Sequence, residues 1–280
     1  MSSKILSHRS ALCNMVRRIA EEAGELILEY YEGVRDMEAN LKGDGSPVTE
    51  ADSRAEELIE RRLLEILPDI PVVGEESFAS GKRISFAEHD YFWLVDPLDG
   101  TRAFIAGEAE FTVNIGLIYK NNPILGVIYV PAKGEVYAGY IEGNGNSKAF
   151  RYFEDSETEK DMHVRQMPKQ GITVMSSNYN RNMPIQDEML EKFKVQKIIR
   201  RSSSLKICNI ANGKADIYPR FGDTCEWDTA AGHAILLAAG GDIRNMEGNP
   251  LKYGSTHPKL LNPHFIAAPT TIFDSGIFDL

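Results

Sequence analysis

Apolar residues recur at three- and four-residue spacing through Leu12, Met15, Val16, Ile19, Ala23, Leu26, Ile27 and Tyr30, which predicts an amphipathic helix ending near Gly33. A second helix is predicted from Thr49 to just before Pro68, with Ala51, Ala55, Leu58, Ile59 and Ile66 on its inner side. The polar stretch Lys42–Thr49 between them is rich in turn formers. After Pro71 the pattern changes to short apolar runs: Val72–Val73, Tyr91–Val95, Phe111–Tyr119, Ile124–Val130 and Glu135–Ile141. With turns at Asn121–Pro123 and Pro131–Gly134, these runs predict an antiparallel meander. Asn144–Ser147 and the charged stretch Arg151–Asp161 are expected to join an N-terminal domain, 1–146, to a C-terminal domain, 147–280. Beyond them the rhythm alternates. Strands are expected at Ile172–Met175, Lys197–Arg200, Ala215–Tyr218 and Phe265–Ala268, and helices at Pro184–Val195, Ser204–Asn212 and Trp227–Ala239. Such alternation predicts an α/β layer with largely parallel strands.

Chemistry concentrates where apolar runs end. Trp93-Leu-Val-Asp96-Pro-Leu-Asp99-Gly-Thr101 closes a strand with two carboxylates, and the Gly-Thr step opens a helix whose free N–H groups suit a phosphate. Hard cations such as Mg²⁺ take oxygen ligands and share phosphate oxygens, so this loop is a half-site for one. The same residues also make an ordinary Asp-Pro turn with Asp99 as a helix cap. Val73-Gly74-Glu75-Glu76-Ser77 fits either a second acidic element or a solvated loop. Asp228 in Glu226–Gly232 fits an N-cap, and Thr49-Glu-Ala-Asp52 matches a capping box. His233 falls on an apolar helix and is expected to be packed and hydrogen-bonded. The Asp96-x-x-Asp99 spacing is wrong for Asp-x-Asp phosphatases that form aspartyl phosphates, and Gly143-Asn-Gly145 lacks the context of a dinucleotide site.

Charge sharpens the problem. The 280 residues carry 41 acidic against 31 basic side chains, a net charge of −10. That balance argues against nucleic acid or an anionic membrane as the main partner, and it sits awkwardly with a phosphorylated substrate unless something cationic intervenes. Cys13, Cys208 and Cys225 are too scattered for a disulfide framework. No apolar signal-peptide core and no run of the roughly 20 residues needed to span a bilayer is present, so a cytoplasmic protein is expected. Peripheral contact with the inner face of the inner membrane, and a homodimer, stay open.

Thr49-x-x-Asp52, Gly74-Glu-Glu-Ser77, Asp96-Pro-Leu-Asp-Gly-Thr101 and Trp227-Asp-x-Ala-Ala-Gly232 occur in that order along the chain. In this the sequence resembles the lithium-sensitive, magnesium-dependent phosphatases of the inositol monophosphatase superfamily over nearly its whole length. Phe111-Thr-Val-Asn-Ile115, Ser203-Ser204-Leu-Lys206, Ala211–Ala215 and Tyr218-Pro-Arg220-Phe-Gly222 are similar to the bacterial 3′(2′),5′-bisphosphate nucleotidases within it. The resemblance implies a five-layer αβαβα fold, α+β in its N-terminal part and α/β in its C-terminal part, with the metal site between the two. It implies a phosphomonoesterase that turns adenosine 3′(2′),5′-bisphosphate into AMP by metal-assisted water attack, without a phosphoenzyme. Glu75, Asp96, Asp99, the Leu98 carbonyl and Asp228 would hold two or three Mg²⁺ ions. Thr101 would orient the water and hydrogen-bond to Asp52, and the Gly100 and Thr101 amides would face the phosphate. Ser203, Lys206 and Arg220 would hold the second phosphate, with Asp228 also at the substrate. Arg102, Ala103 and Ser202 depart from the pattern beside the expected pocket. Other phosphatases on the same fold, acting on inositol phosphate, fructose 1,6-bisphosphate or histidinol phosphate, are the alternatives. From another class, a catalytically inactive nucleotide-binding regulator would lack a metal ligand or the Thr/Asp pair, and neither is missing.

Overall fold

The structure, a computed structural model, describes residues 2–37, 46–178, 188–191 and 193–275. A short helix α1 (Ser2–Leu6) precedes α2 (Arg9–Met37) and α3 (Ser46–Ile66), which pack side by side. α2 runs past the predicted stop because Gly33 is exposed inside it, where glycine costs only about 1 kcal/mol relative to alanine. α3 begins three residues before Thr49. Pro47 then falls in the first turn, where its missing N–H loses nothing, and Thr49 lies inside the helix rather than at its cap. Residues 42–45 of the predicted loop lie outside the described residues.

Seven strands follow in sequence order: β1 (Val72–Gly74), β2 (Tyr91–Asp99), β3 (Thr112–Tyr119), β4 (Asn122–Val130), β5 (Glu135–Ile141), β6 (Ser147–Phe153) and β7 (Thr158–Asp161). β2 to β7 form the expected antiparallel meander, while β1 pairs parallel to β2. Short helices α4 (Glu75–Ala79) and α5 (Thr101–Ile105) sit on the strand ends, and α4 was not foreseen. The stretch expected as a linker is instead β6 and β7, so the chain leaves this sheet after Asp161 rather than near residue 146. β7 is an edge strand with every residue exposed, and its charges keep such an edge from pairing with other chains.

The second half carries β8 (Ile172–Ser177), β9 (Val195–Arg201), α6 (Leu205–Ala211), β10 (Tyr218–Arg220), α7 (Glu226–Ala238), β11 (Gly241–Asn245), β12 (Phe265–Pro269) and α8 (Thr270–Phe273). Among the described residues of this half β8 and β9 pair in parallel, and a single parallel bridge joins Val174 of β8 to Ile217; β12 lies antiparallel between β10 and β11. The expectation of largely parallel strands fails because β11, too polar to be read as a strand, inserts a reversal before β12. Its Asp242 and Arg244 pair with each other, and Asp242 also meets His233. Of the helix predicted over Pro184–Val195, residues 184–187 and 192 lie outside the described residues; 188–190 are helical, and Val195 already opens β9.

Three apolar clusters define five layers, αβαβα. One joins α2 and α3 to the meander, a second lies between the meander, α6, α7 and the small sheets, and the third covers the outer face with Met189, Leu190 and Ile272. A stripe of glycines sets the spacing of the middle layers. Gly116, Gly126 and Gly139 are register partners on β3, β4 and β5. A Cβ at Gly126 would sit 2.1 Å from the Ala231 carbonyl oxygen, at Gly116 2.9 Å from the Ala231 nitrogen, and at Gly139 2.8 Å from the Ile235 Cα. α7 therefore lies with its backbone almost on the sheet, alanines downward. Among the described residues no helix is long and apolar enough to cross a membrane.

Gly126→Ala should lower unfolding stability by about 3 kcal/mol, the upper end of overpacking costs, because backbone meets backbone and no side chain can move aside. Urea denaturation measures it, and a midpoint equal to the parent's would contradict the close approach.

Candidate active site

Asp96 and Asp99 stand an odd number of residues apart, so a regular strand would point them to opposite faces. The β2–β3 register slips between them: Asp96 pairs with Asn114 and Asp99 with Thr112. Asn114 and Thr112 share a face, and cross-strand partners do too, so the extra residue of the bulge brings both carboxylates to the side that faces α7. Pro97 sits in the bulge, where a missing donor costs no ladder bond. Past the bulge, Gly100 takes a left-handed φ of 97° and starts α5.

Three elements converge on this point. Glu75 comes from the start of α4, Asp96 from β2 and Asp228 from the first turn of α7, and one oxygen of each lies within 4.8 Å of the others. Asp99 joins them through Ser204, whose hydroxyl donates to Asp99 Oδ2 at 2.8 Å and lies 3.0 Å from the Asp228 carbonyl. Asn114 Nδ2 donates to Ser204 Oγ at 2.9 Å and reaches Asp99 Oδ2 at 3.4 Å. Asp228 Oδ2 accepts the Cys225 N–H at 2.8 Å: Cys225 is the N-cap of α7 and Asp228 its N3 residue, so Asp228 closes a capping box rather than serving as the N-cap read from sequence. Thr101 departs from expectation. Its hydroxyl lies 3.4 Å from the Leu98 carbonyl, and among the described residues it makes no hydrogen bond to Asp52.

These carboxyls are crowded and largely withheld from water. Burial, then Glu76, Glu75 and Glu56, push Asp52 up to about 8. Burial, then Asp99, Glu76 and Glu56, push Glu75 up to about 7. Burial and Asp99 raise Asp228 to about 8, and fully buried Asp96 is raised well above the carboxylate range by burial and its acidic neighbours. Among the described residues none of Glu75, Asp96, Asp99 and Asp228 forms an ion pair with Lys or Arg. An all-oxygen set at this separation fits a hard divalent cation, whose opposite ligands stand about 4.2 Å apart at Mg–O distances of about 2.1 Å.

A cleft of ≈ 750 Å³ opens beside the cluster, lined by Asp99, Gly100, Thr101, Ser203, Lys206, Arg220 and Asp228 among others. Asp52, Glu75, Asp96 and Leu98 are not in that lining. Ser203, just before α6, takes a left-handed φ of 52°. Lys206 is buried on α6, donates to the Ser203 carbonyl, and lies 5.5 Å from the Tyr218 ring. Its burial lowers the ammonium to about 8, against the pull of Asp99. Arg220 donates to the carbonyls of Gly222 (3.1 Å) and Asp223 (2.8 Å). Of the departures, Arg102 is exposed on the cleft, Ala103 is fully buried and turned from it, and Ser202 gives its N–H to Glu110 at 3.0 Å and accepts from Asn178 at 3.1 Å. His233 is packed as expected, between Asp242 and Tyr253 at 3.0 Å each. Asn114, Ser204 and Glu110 were not singled out from sequence, although Asn114 and Ser204 lie inside the segments that carry the resemblance.

Five αβαβα layers with acidic strand and helix ends meeting at one cleft define a sugar-phosphatase-like architecture, and the chain belongs to the inositol monophosphatase family, whose model matches residues 9–275. Enzymes of this family are metal-dependent. Among relatives, the 3′(2′),5′-bisphosphate nucleotidase CysQ of Escherichia coli K12 is 38% identical over 91% of this chain and 98% of its own. That of Buchnera aphidicola is 37% identical over 92% and 93%. The crystal structure of CysQ from Bacteroides thetaiotaomicron superposes with a TM-score of 0.73 at 34% identity, covering 92% of this chain and 97% of that one. Mycobacterium tuberculosis SuhB, at 23% identity and a TM-score of 0.69, shares the fold.

Carboxyls raised in the folded state bind protons that the unfolded chain releases near pH 4, so the metal-free protein loses stability as pH rises from about 4 to about 8. Thermal unfolding without metal should therefore show a falling Tm across that window. Added Mg²⁺ should raise Tm more at pH 8 than at pH 6; equal gains at both would contradict the repulsion.

Proposed function

We propose that this chain is a Mg²⁺-dependent phosphomonoesterase that hydrolyses adenosine 3′(2′),5′-bisphosphate to AMP and phosphate in the cytoplasm. The observation that carries the proposal is a single cleft holding both signs: the Asp99 and Asp228 edge of a buried carboxylate cluster, and the cations Lys206 and Arg220. A monoester substrate with one phosphate has no use for the second set, whereas a bisphosphate occupies both. The similarity to proteins named bisphosphate nucleotidase over nine-tenths of the chain supports the same substrate.

In this scheme Glu75, Asp96, Asp99, Asp228 and the Leu98 carbonyl hold the divalent ions. When bound, Mg²⁺ supplies positive charge for the phosphate oxygens and lowers the pKa of water. The residues of the chain do the rest. The Gly100 and Thr101 amides place the scissile phosphate on the cleft wall and the Thr101 hydroxyl orients the attacking water; that hydroxyl would have to turn from the Leu98 carbonyl toward Asp52 for Asp52 to take up the proton through it. Ser203, Lys206 and Arg220 grip the other phosphate, and this fixes the ester bond relative to the carboxylates.

Phosphate release should be measured for adenosine 3′,5′-bisphosphate, myo-inositol 1-phosphate, fructose 1,6-bisphosphate and histidinol phosphate, each with and without Mg²⁺. Two charge-assisted contacts at about 1.5 kcal/mol or more each predict a preference for the nucleotide of about 100-fold in kcat/KM over the two substrates with a single phosphate, and negligible turnover without metal. Equal turnover of inositol phosphate would overturn the substrate assignment.

Lys206→Met keeps the buried volume and removes the charge. It should raise KM for the bisphosphate about tenfold with kcat nearly unchanged, since the contact is to a part of the substrate that does not react. An unchanged KM removes Lys206 from the site. Asp96→Asn should cost about 1000-fold or more in kcat, the scale set by residues that act as a catalytic unit; binding without turnover by the parent would instead favour a regulator.

A further inference from the structure

Behind Glu75 lies a carboxylate that no part of the reaction scheme uses. Glu56 is on α3, one helical turn beyond Asp52, and is 4% exposed. Its Oε2 accepts the Glu76 N–H at 2.8 Å and its Oε1 the Ser77 N–H at 2.7 Å, so both oxygens are spent on the backbone of the turn that presents Glu75. The fit leaves no room for a side chain at Gly74, where a Cβ would come within 2.1 Å of the Glu56 carboxyl carbon. Glu56 also adds repulsion: it helps push Asp52, Glu75 and Glu76 upward. A further negative group beside an already crowded cluster opposes folding, and a neutral cap would hold so short a helix without that cost.

We propose that Glu56 is a positioning residue for the metal site: its bidentate hold on the Glu76 and Ser77 amides fixes the Gly74–Glu75 step, and so the place of the Glu75 carboxylate opposite Asp96 and Asp228. The assignment rests on the metal-binding role given to Glu75 above. Groups that orient metal ligands typically govern affinity by about 10- to 100-fold. Glu56→Gln is isosteric but offers one acceptor and an NH₂ where two acceptors are needed. Gly74→Ala attacks the same contact from the other side.

The experiment is the Mg²⁺ midpoint of thermal stabilisation, read without substrate, for the parent, Glu56→Gln, Gly74→Ala and the control Glu60→Gln, which removes a surface charge one turn further along α3 that pairs with Lys82. The expected result is a midpoint raised about tenfold or more in both test variants and unchanged in the control, with kcat at saturating Mg²⁺ and KM for substrate close to the parent's. A merely structural residue would lower the active fraction, and thus kcat, without moving the midpoint; that pattern overturns the assignment, as do parent-like midpoints in both variants. If one variant does not fold, the other decides by the same readout. Absence of any saturable Mg²⁺ response in the parent overturns the metal assignment of Glu75, and the role of Glu56 with it.

Discussion

Repulsion among carboxylates held away from water is the constraint around which this molecule is arranged. Asp52, Glu75, Asp96 and Asp228 are all raised by burial and by one another, and among the described residues no basic side chain pairs with Glu75, Asp96 or Asp228. Left to relax, such groups would turn outward to solvent or stay protonated. They stay together because each is fixed by backbone that has other reasons to be where it is. A divalent cation held there, as proposed, would find ligands whose repulsion has already been met by the fold, and its binding would relieve that repulsion.

Two packing features impose this arrangement. The bulge at Pro97 and Leu98 turns Asp96 and Asp99 to one face of β2, and the glycine stripe on β3, β4 and β5 lets α7 settle onto that same face. Since the contact runs through Ala231 and Ile235, the first turn of α7, and Asp228 with it, has little freedom to lift or slide. Ser204 and Asn114 tie the remaining distance, linking β2, β3 and the start of α6 through one hydroxyl. Gly232 repeats the device on the other side of α7, where a Cβ would meet Ile207 of α6 at 3.0 Å. The cleft wall that bears Lys206 is thereby keyed to the helix that bears Asp228.

What could be read from the chain follows from the range of the interactions involved. Helical periods and the meander are local patterns, and Leu12–Tyr30 or Glu135–Ile141 show them without help from the rest of the fold. Thr49 was misplaced because a Ser-Pro start at Ser46 outcompetes a capping box that looks equally good on paper. β7 and β11 were missed for opposite reasons: one is so exposed that its composition matches a linker, and the other contains charges that are neutralised only by His233 and by Arg244. Each acidic residue of the site had a bland explanation by itself, and only their joint order carried the resemblance. Ser204, Asn114 and Glu56 had no signal of that kind. Their partners lie 105, 90 and 20 residues away along the chain, and a hydrogen bond between such positions leaves no periodic trace.

The net charge of −10 then separates into two parts with different physics. Most acidic side chains are on solvated helix faces such as that of α3, where Glu60 pairs with Lys82 and salt weakens the interaction. The site carboxylates are shielded from salt, so their field is strong at short range and must be answered locally. Lys206 answers from within the same cleft: burial lowers its pKa to about 8, and Asp99 and Asp228 hold it up against that. A phosphate arriving between Lys206 and Arg220 would add negative charge beside Lys206 and favour its charged form, just as cations at the cluster favour ionised carboxylates. Each ligand thus stabilises the charged form of the side chains that hold it. Under the proposed scheme substrate and metal would be coupled through a cleft that repels phosphate when its carboxylates are bare and ionised, and an acidic protein would bind phosphate only in its metal-loaded state.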